Sequence, residues 1–194
     1  MLLLVAAVKE ELADLNGEAI GIGPVISAIR MARLIAARQP SGVILIGTAG
    51  AYAGGPAIGK ACKALRVGLA DGSAAMGLGY TPRPPPPVLC DRRLLSRIDL
   101  PDCDVLTVGA VSTDLTMARR LSDGWQVEHL EAYGAAAACA EAGIPFAAVL
   151  GISNKVGPEA HAQWLAHRNQ AQLAARNAVA PLFLPELREQ AREA

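Results

Sequence analysis

Four short polar stretches stand where apolar runs end, and their residue types set what chemistry the chain can do. Glu131 opens an Ala-rich segment after Val127 to Leu130. A carboxylate there accepts charge-assisted hydrogen bonds, which are the strong kind, and favours positive charge developing on a bound group. Ser153-Asn154 closes the apolar run Phe146 to Ile152. The Asn amide donates and accepts without supplying a full proton, and the Ser hydroxyl can assist it. Glu10-Glu11 follows the apolar N-terminal run. On residue type alone, this pair reads as acidic charge complementing a helix dipole. Gly47-Thr48-Ala49-Gly50 follows Val43 to Ile46. It is either a turn that presents a hydroxyl and backbone to a ligand or an ordinary glycine-rich turn.

The elements that must position these residues alternate in type. Leu2 to Val8 predicts a first, central strand, with a short helix opening at Lys9-Glu10-Glu11-Leu12. Glu18 to Ile22 predicts a brief strand, and Gly23-Pro24 leads into a helix from Val25 to Arg38, since proline suits a helix start. Further strands are expected at Gly42 to Ile46, Ala64 to Leu69, Cys103 to Val111, Trp125 to Leu130 and Phe146 to Ile152. The last reads as a strand covered on both faces, and its carboxyl end is where open α/β sheets bind ligands. Helices are expected at Leu115 to Leu121, at the Ala-rich His129 to Ala142 and at Glu159 to Val179. The third carries apolar positions Ala162, Leu165, Ala166 and Leu173, with Pro181 ending it and Pro185 to Ala194 as a charged, frayed tail. Four consecutive prolines, Pro84 to Pro87, forbid helix or central strand and form a rigid extended loop more readily than an SH3-type ligand. Strands alternating with helices predict an α/β domain with a mostly parallel sheet flanked by helices. No linker or internal repeat divides residues 1–194.

Composition bounds the function. The 194 residues are 52% hydrophobic and 19% charged, so the chain is globular, with one full core. Formal net charge is zero with no basic block, which argues against nucleic acid as partner. Lys9-Glu10-Glu11 interrupts the first apolar run too early for a signal peptide or a membrane span. Cys62, Cys90, Cys103 and Cys139 are widely spaced without CxxC or Cys/His patterning, so reduced thiols in a bacterial-type cytoplasm are expected, and neither zinc nor another metal. His161 and His167 read as surface or packing residues. Gly21-Ile22-Gly23 lacks both the third glycine and the downstream acid of a dinucleotide site, so no cofactor is expected.

Together the motifs resemble the nucleoside phosphorylase/nucleosidase superfamily, which includes the methylthioadenosine/adenosylhomocysteine nucleosidases and futalosine hydrolases. Leu130-Glu131 stands for the Met-Glu that begins the superfamily's Ala-rich helix. Ile144-Pro145-Phe146 matches the start of its Pro-Phe strand, and Ser153-Asn154 matches its Ser-Asp or Ser-Asn. Gly47-Thr48-Ala49-Gly50 matches G-[ST]-A-G, and Gly21 to Ala28 matches a G-x-G-x-x-x-A approach to the second helix. The resemblance implies a three-layer α-β-α fold, phosphorylase/hydrolase-like, with a mostly parallel mixed central sheet. Its N-terminal half is shortened, because the sheet segment usual between first strand and helix is missing between Leu12 and Glu18.

The resemblance also assigns roles. Glu10 activates the attacking water, with Glu11 the fallback by register. Thr48, Ala49 and Gly50 face the ribose and the water. Glu131 and Leu130 hold the ribose diol. Val111 and Thr113 line the base pocket, though the usual stacking Phe is not evident. Ser153 assists Asn154, which stabilises the leaving base. Where an Asp serves 6-aminopurines, an Asn suits a 6-oxopurine such as hypoxanthine, and Ser-Asn followed by Val-Gly looks most like futalosine hydrolase, an enzyme of menaquinone biosynthesis. No arginine stands at the phosphorylases' phosphate positions, which favours water. A purine nucleoside phosphorylase or methylthioadenosine/adenosylhomocysteine nucleosidase is the alternative; a divergent nucleoside-binding protein without turnover is an alternative of another class. The resemblance further implies a cytoplasmic homodimer, with the Ala-rich helices as its interface.

Overall fold

The computed structural model describes residues 1–184; the charged tail expected over Pro185 to Ala194 lies outside the described residues. Fifteen elements follow in order: β1 Leu2–Ala6, α1 Lys9–Leu12, β2 Glu18–Ala19, α2 Pro24–Arg38, β3 Gly42–Ala51, β4 Ala61–Leu69, α3 Gly72–Ala75 and β5 Val88–Leu89. Then come α4 Arg92–Leu95, β6 Asp102–Thr107, α5 Leu115–Leu121, β7 Val127–His129, α6 Ala132–Glu141, β8 Phe146–Lys155 and α7 Ala160–Phe183.

β3 is the spine. One edge pairs along its length with parallel β8. Its other edge is shared: Gly42 to Leu45 pair with β1, and Gly50-Ala51 pair with β7, antiparallel. β8 also pairs β4, β4 pairs β6, and β6 pairs β7. The path β3–β8–β4–β6–β7 therefore returns to β3, so the sheet closes into a five-stranded ring. β2 extends it beside β1, and β5 beside β4. This corrects the expectation of an open central layer. The closing strand, β7, is only three residues long. Glu128 opposite Gly50 and Val127 opposite Ala51 bring it across the mouth of what would otherwise be an open sheet. The sheet is mixed and mostly parallel as expected, with antiparallel contacts confined to β3–β7, β4–β5 and β4–β8.

The core fills with the short apolar runs read from the sequence. Leu4, Val5, Val43 to Ile46, and Ala147 to Leu150 are all buried. α7 lies along β8 and reaches β3 and β4, while α6 packs against α2. Two of these approaches need glycine. A Cβ on Gly151 would stand 1.9 Å from the Ala171 carbonyl oxygen, and one on Gly134 would stand 2.2 Å from that of Pro24. The buried face of α7 is consequently Ala160, Ala171, Ala175 and Val179, whereas Ala162, Leu165, Ala166 and Leu173 are exposed. Small side chains make that face because the helix sits too close to the sheet for leucine. Pro181 does not end α7; it sits in the last turn, where a missing N–H removes only one ladder bond. The four cysteines are free and buried.

Candidate active site

Glu11 and Glu10 are adjacent but face opposite environments. α1 is a single turn, so consecutive side chains differ by about 100°. Glu10 points to solvent, whereas Glu11 is 7% exposed. Glu11 Oε1 accepts from the Thr48 backbone N–H at 3.0 Å and lies 3.4 Å from the Thr48 hydroxyl. That hydroxyl in turn accepts from Trp164 Nε1–H of α7 at 3.3 Å. Glu11 Oε2 is buried and has no hydrogen-bond partner. Burial pushes the Glu11 carboxyl up to about 7; the Thr48 N–H pulls against this and the charge of Glu131 adds to it. Glu10, the carboxylate expected in the site, faces solvent; in this register the carboxylate that reaches Thr48 is Glu11, the fallback by register.

Glu131 comes from the opposite side. It stands one residue before α6, 5% exposed, and accepts from the Gly23 N–H at 2.9 Å through Oε1. Gly23 has φ +85°, a left-handed conformation that glycine adopts freely, and this aims its N–H away from the start of α2. The Glu131 carbonyl accepts from the Ser27 hydroxyl of α2 at 3.1 Å. The two helices thus clamp Glu131, while its carboxylate, with about four lone-pair sites, keeps capacity for a diol.

Ser153 and Asn154 lie within β8, one step short of its end, rather than in a loop beyond it. Between Ala49 and Gly50 the β3–β8 register jumps from Ile152 to Asn154, leaving Ser153 as the extra residue of a bulge. Bulges re-aim side chains, and here both polar groups are buried. The Ser153 hydroxyl is 2.8 Å from Asn154 Oδ1 and 3.2 Å from the Ala49 carbonyl. Asn154 Nδ2 donates to the Lys155 carbonyl at 3.1 Å, leaving its second N–H for a ligand. A Cβ on Gly50 would come within 2.8 Å of that nitrogen, so Gly50 makes the room. Asn154 faces Gly50, two residues beyond Thr48, which is roughly 7 Å along a strand.

The structure thus brings Thr48, Ala49, Gly50, Glu131, Ser153 and Asn154 onto one end of β3 and its neighbours. Leu130 is half-buried against a second apolar cluster of Tyr52, Leu106, Val108, Ala118, Leu121 and Val156. Val111 is 49% exposed on the loop after β6, and Thr113 is exposed there too. Trp164 lies 116 residues from Thr48, and no local sequence signal links them. His129 carries no such signal either. That side chain ends β7 with its Nδ1 accepting the Glu131 and Ala132 N–H groups, both at 3.1 Å. Nδ1 also lies 3.4 Å from Glu131 Oε2, yet this is no ion pair. Burial lowers the imidazole toward its neutral form against the pull of Glu131, and Nδ1 is already an acceptor.

Among the described residues, no group of three or more His, Cys, Asp or Glu gathers as a metal set, and no helix is long and apolar enough to cross a membrane. Two surface clefts lie away from the carboxylates. One is bounded by Trp125, Arg120 and Pro84-Pro85; the other by Asp91, Ile144 and Phe146.

Against models of protein families the chain matches none, and no curated protein matches it. Solved structures do match, through fold. A 5′-methylthioadenosine/S-adenosylhomocysteine nucleosidase of Colwellia psychrerythraea, in complex with adenine, superposes with a TM-score of 0.79 at 18% identity over 92% of each chain. The futalosine hydrolase of Helicobacter pylori superposes with a TM-score of 0.80 at 15% identity over 92% of this chain and 95% of that one. A Helicobacter pylori methylthioadenosine/adenosylhomocysteine nucleosidase complexed with an amino-pyrrolopyrimidine derivative gives a TM-score of 0.81 at 14% identity, over 93% and 96%. The chain has the mixed α/β fold of these purine nucleosidases.

Proposed function

We propose that this protein hydrolyses the N-ribosidic bond of a purine nucleoside, and that the base is a 6-oxopurine, with futalosine as the substrate and menaquinone biosynthesis in the cytoplasm as the setting. The observation that carries the reading is the pairing of two buried carboxylates from distant segments, Glu11 and Glu131, at the β3 end that also holds Asn154. Breaking this bond puts positive charge on the sugar and negative charge on the departing base. Glu131 accepts from the ribose diol and favours the sugar cation. Glu11, with an uncovered oxygen and a carboxyl poised near 7, takes a proton from the attacking water, an assistance worth typically ~100- to 10,000-fold. The electron pair of the broken bond leaves with the purine, whose developing charge is met by the free N–H of Asn154. Because Ser153 fixes Oδ1 as an acceptor, the amide orientation is set before substrate binds. The fold likeness to methylthioadenosine/adenosylhomocysteine nucleosidases and to futalosine hydrolase supports the reaction class.

The test is base release from futalosine, inosine and methylthioadenosine, with and without phosphate. Hypoxanthine from futalosine without phosphate is expected. Strict phosphate dependence would make the protein a phosphorylase, and adenine release would overturn the reading of Asn154. Base binding without turnover would make it a binding protein.

The reading extends to a homodimer, but not through the Ala-rich helix. α6 is occupied inside the molecule, with Ala132, Ala135, Ala136 and Cys139 buried. Ile22, Val25, Ile26 and Ile29 instead form an exposed apolar stripe along the start of α2, beside Gly23. Burying that stripe against a second copy would also steady the Gly23–Glu131 contact.

A further inference from the structure

One more side chain stands where it can touch the reacting atoms. His129 is 5% exposed, and its Nδ1 is occupied as an acceptor by two backbone N–H groups. A neutral imidazole that accepts at Nδ1 carries its proton on Nε2, so the hydrogen-bond network assigns the tautomer. Nε2 points the other way, toward Gly47. It is 3.0 Å from the position a Cβ on Gly47 would take, and Glu11 Oε1 is 3.5 Å from that same position. Glycine at 47 keeps the space between them open. No acceptor among the described residues takes the Nε2–H, and the carboxylate whose Oε1 borders this space has its other oxygen, Oε2, buried without a donor. Leaving that buried oxygen without a hydrogen bond is costly. A donor and an acceptor facing one small space are two of the 2–4 polar partners that an ordered water needs.

We propose that His129 is a third catalytic residue: its Nε2–H donates to the attacking water and holds it against Glu11, with a lone pair aimed at the sugar carbon. The role rests on the hydrolase reading above. The new bond joins the water oxygen to the anomeric carbon as the carbon–nitrogen bond breaks and its electron pair leaves with the base. The water proton passes to Glu11. His129 stays neutral throughout and transfers nothing; it fixes the water, where misplacement by about 1 Å can cost ~100-fold in rate.

Two substitutions separate this role from packing. His129→Asn places an amide oxygen where Nδ1 stands, so it keeps the acceptor for the Glu131 and Ala132 N–H groups but removes the distal donor. His129→Gln carries an amide N–H out to the Nε2 position. Base release from futalosine and thermal melting would be measured for both beside wild type. The expected result for His129→Asn is a kcat about 100-fold lower, with KM within about threefold and melting nearly unchanged. His129→Gln should recover at least tenfold of that loss. A His129→Asn protein with wild-type kcat would overturn the role. So would one in which kcat, KM and melting fall together and Gln recovers nothing, because His129 would then only brace α6. Wild-type protein that releases no base from futalosine, inosine or methylthioadenosine would remove the hydrolase reading itself, and the role with it. An active wild type with an unimpaired His129→Asn removes the role alone.

Discussion

Two buried carboxylates flank the far end of β3, and their treatment differs. Glu128 is 4% exposed and fully satisfied: Oε2 accepts from the Tyr52 hydroxyl and Oε1 from the Ser112 N–H, each at 2.9 Å. Burial holds the Tyr52 phenol protonated, and the charge of Glu128 beside it adds to this. Glu11 is buried almost as deeply, yet one of its oxygens has no partner at all. The first arrangement is what a structural carboxylate needs, since each oxygen has a protein donor in place of water. The second holds an unmet acceptor and a raised carboxyl in one place, as the proposed role of Glu11 as a base requires. The contrast is within one residue type, at similar burial, between helix α1 and strand β7, so burial alone does not mark the site.

The sharpest way to break this comparison is to remove both charges separately. Glu11→Gln should lower kcat by ~100- to 10,000-fold while the protein still folds. Glu128→Gln should leave kcat within a few-fold but disturb the Tyr52 and Ser112 bonds, costing about 1–3 kcal/mol, or roughly 2–4 °C of Tm per kcal/mol. If the two results are exchanged, the assignment of roles is wrong.

Stability against pH should follow the same division. The Glu11 carboxyl rises from 4.5 in the unfolded chain to about 7 in the fold. The folded state therefore binds more protons between those values, and wild type should lose stability as pH rises from about 4.5 through 7. The loss is complete above 7 and is on the order of 3 kcal/mol. Glu11→Gln should lack it, so the variant should be more stable than wild type at pH 8 and close to it at pH 4, as read by denaturant melts.

Asn154→Asp should act at the base end with a smaller change. An Asp can protonate a purine nitrogen and accept from an amino group, so release of adenine relative to hypoxanthine should rise by about tenfold. Competition assays with inosine and methylthioadenosine would show it. The smallest effect is expected from Glu10→Gln, since that carboxylate faces solvent, and base release should stay within about twofold of wild type.

Much of this was readable before any coordinates. α5 falls over Leu115–Leu121 as expected, and the Ala-rich helix and the Phe146 strand lie close to where they were read. Their signals are local: a run of apolar residues, a proline, a glycine after a helix. The places of Glu131, Ser153 and Asn154 in the fold were legible for the same reason, because each sits at the end of such a run. Glu10 and Glu11 could not be separated, since a four-residue helix offers no period from which to tell its faces apart. The ring closure was hidden because β7 pairs with β3 residues 76 and 78 positions away through only two residues of its own, Val127 and Glu128. His129 was hidden by the same strand. Inside a ring both faces of β7 meet protein, so Glu128 and His129 are buried together and the usual alternation of apolar and polar gives no warning.

The central claim is that Glu11 is the base of a hydrolysis. Its most direct test is kcat/KM for hypoxanthine release from futalosine, without phosphate, from pH 5 to 9, for wild type and Glu11→Gln. Wild type should lose activity below about pH 7 as Glu11 takes up its proton, and Glu11→Gln should be nearly inactive throughout. A Glu11→Gln protein with wild-type kcat/KM and the same acid limb would contradict the account.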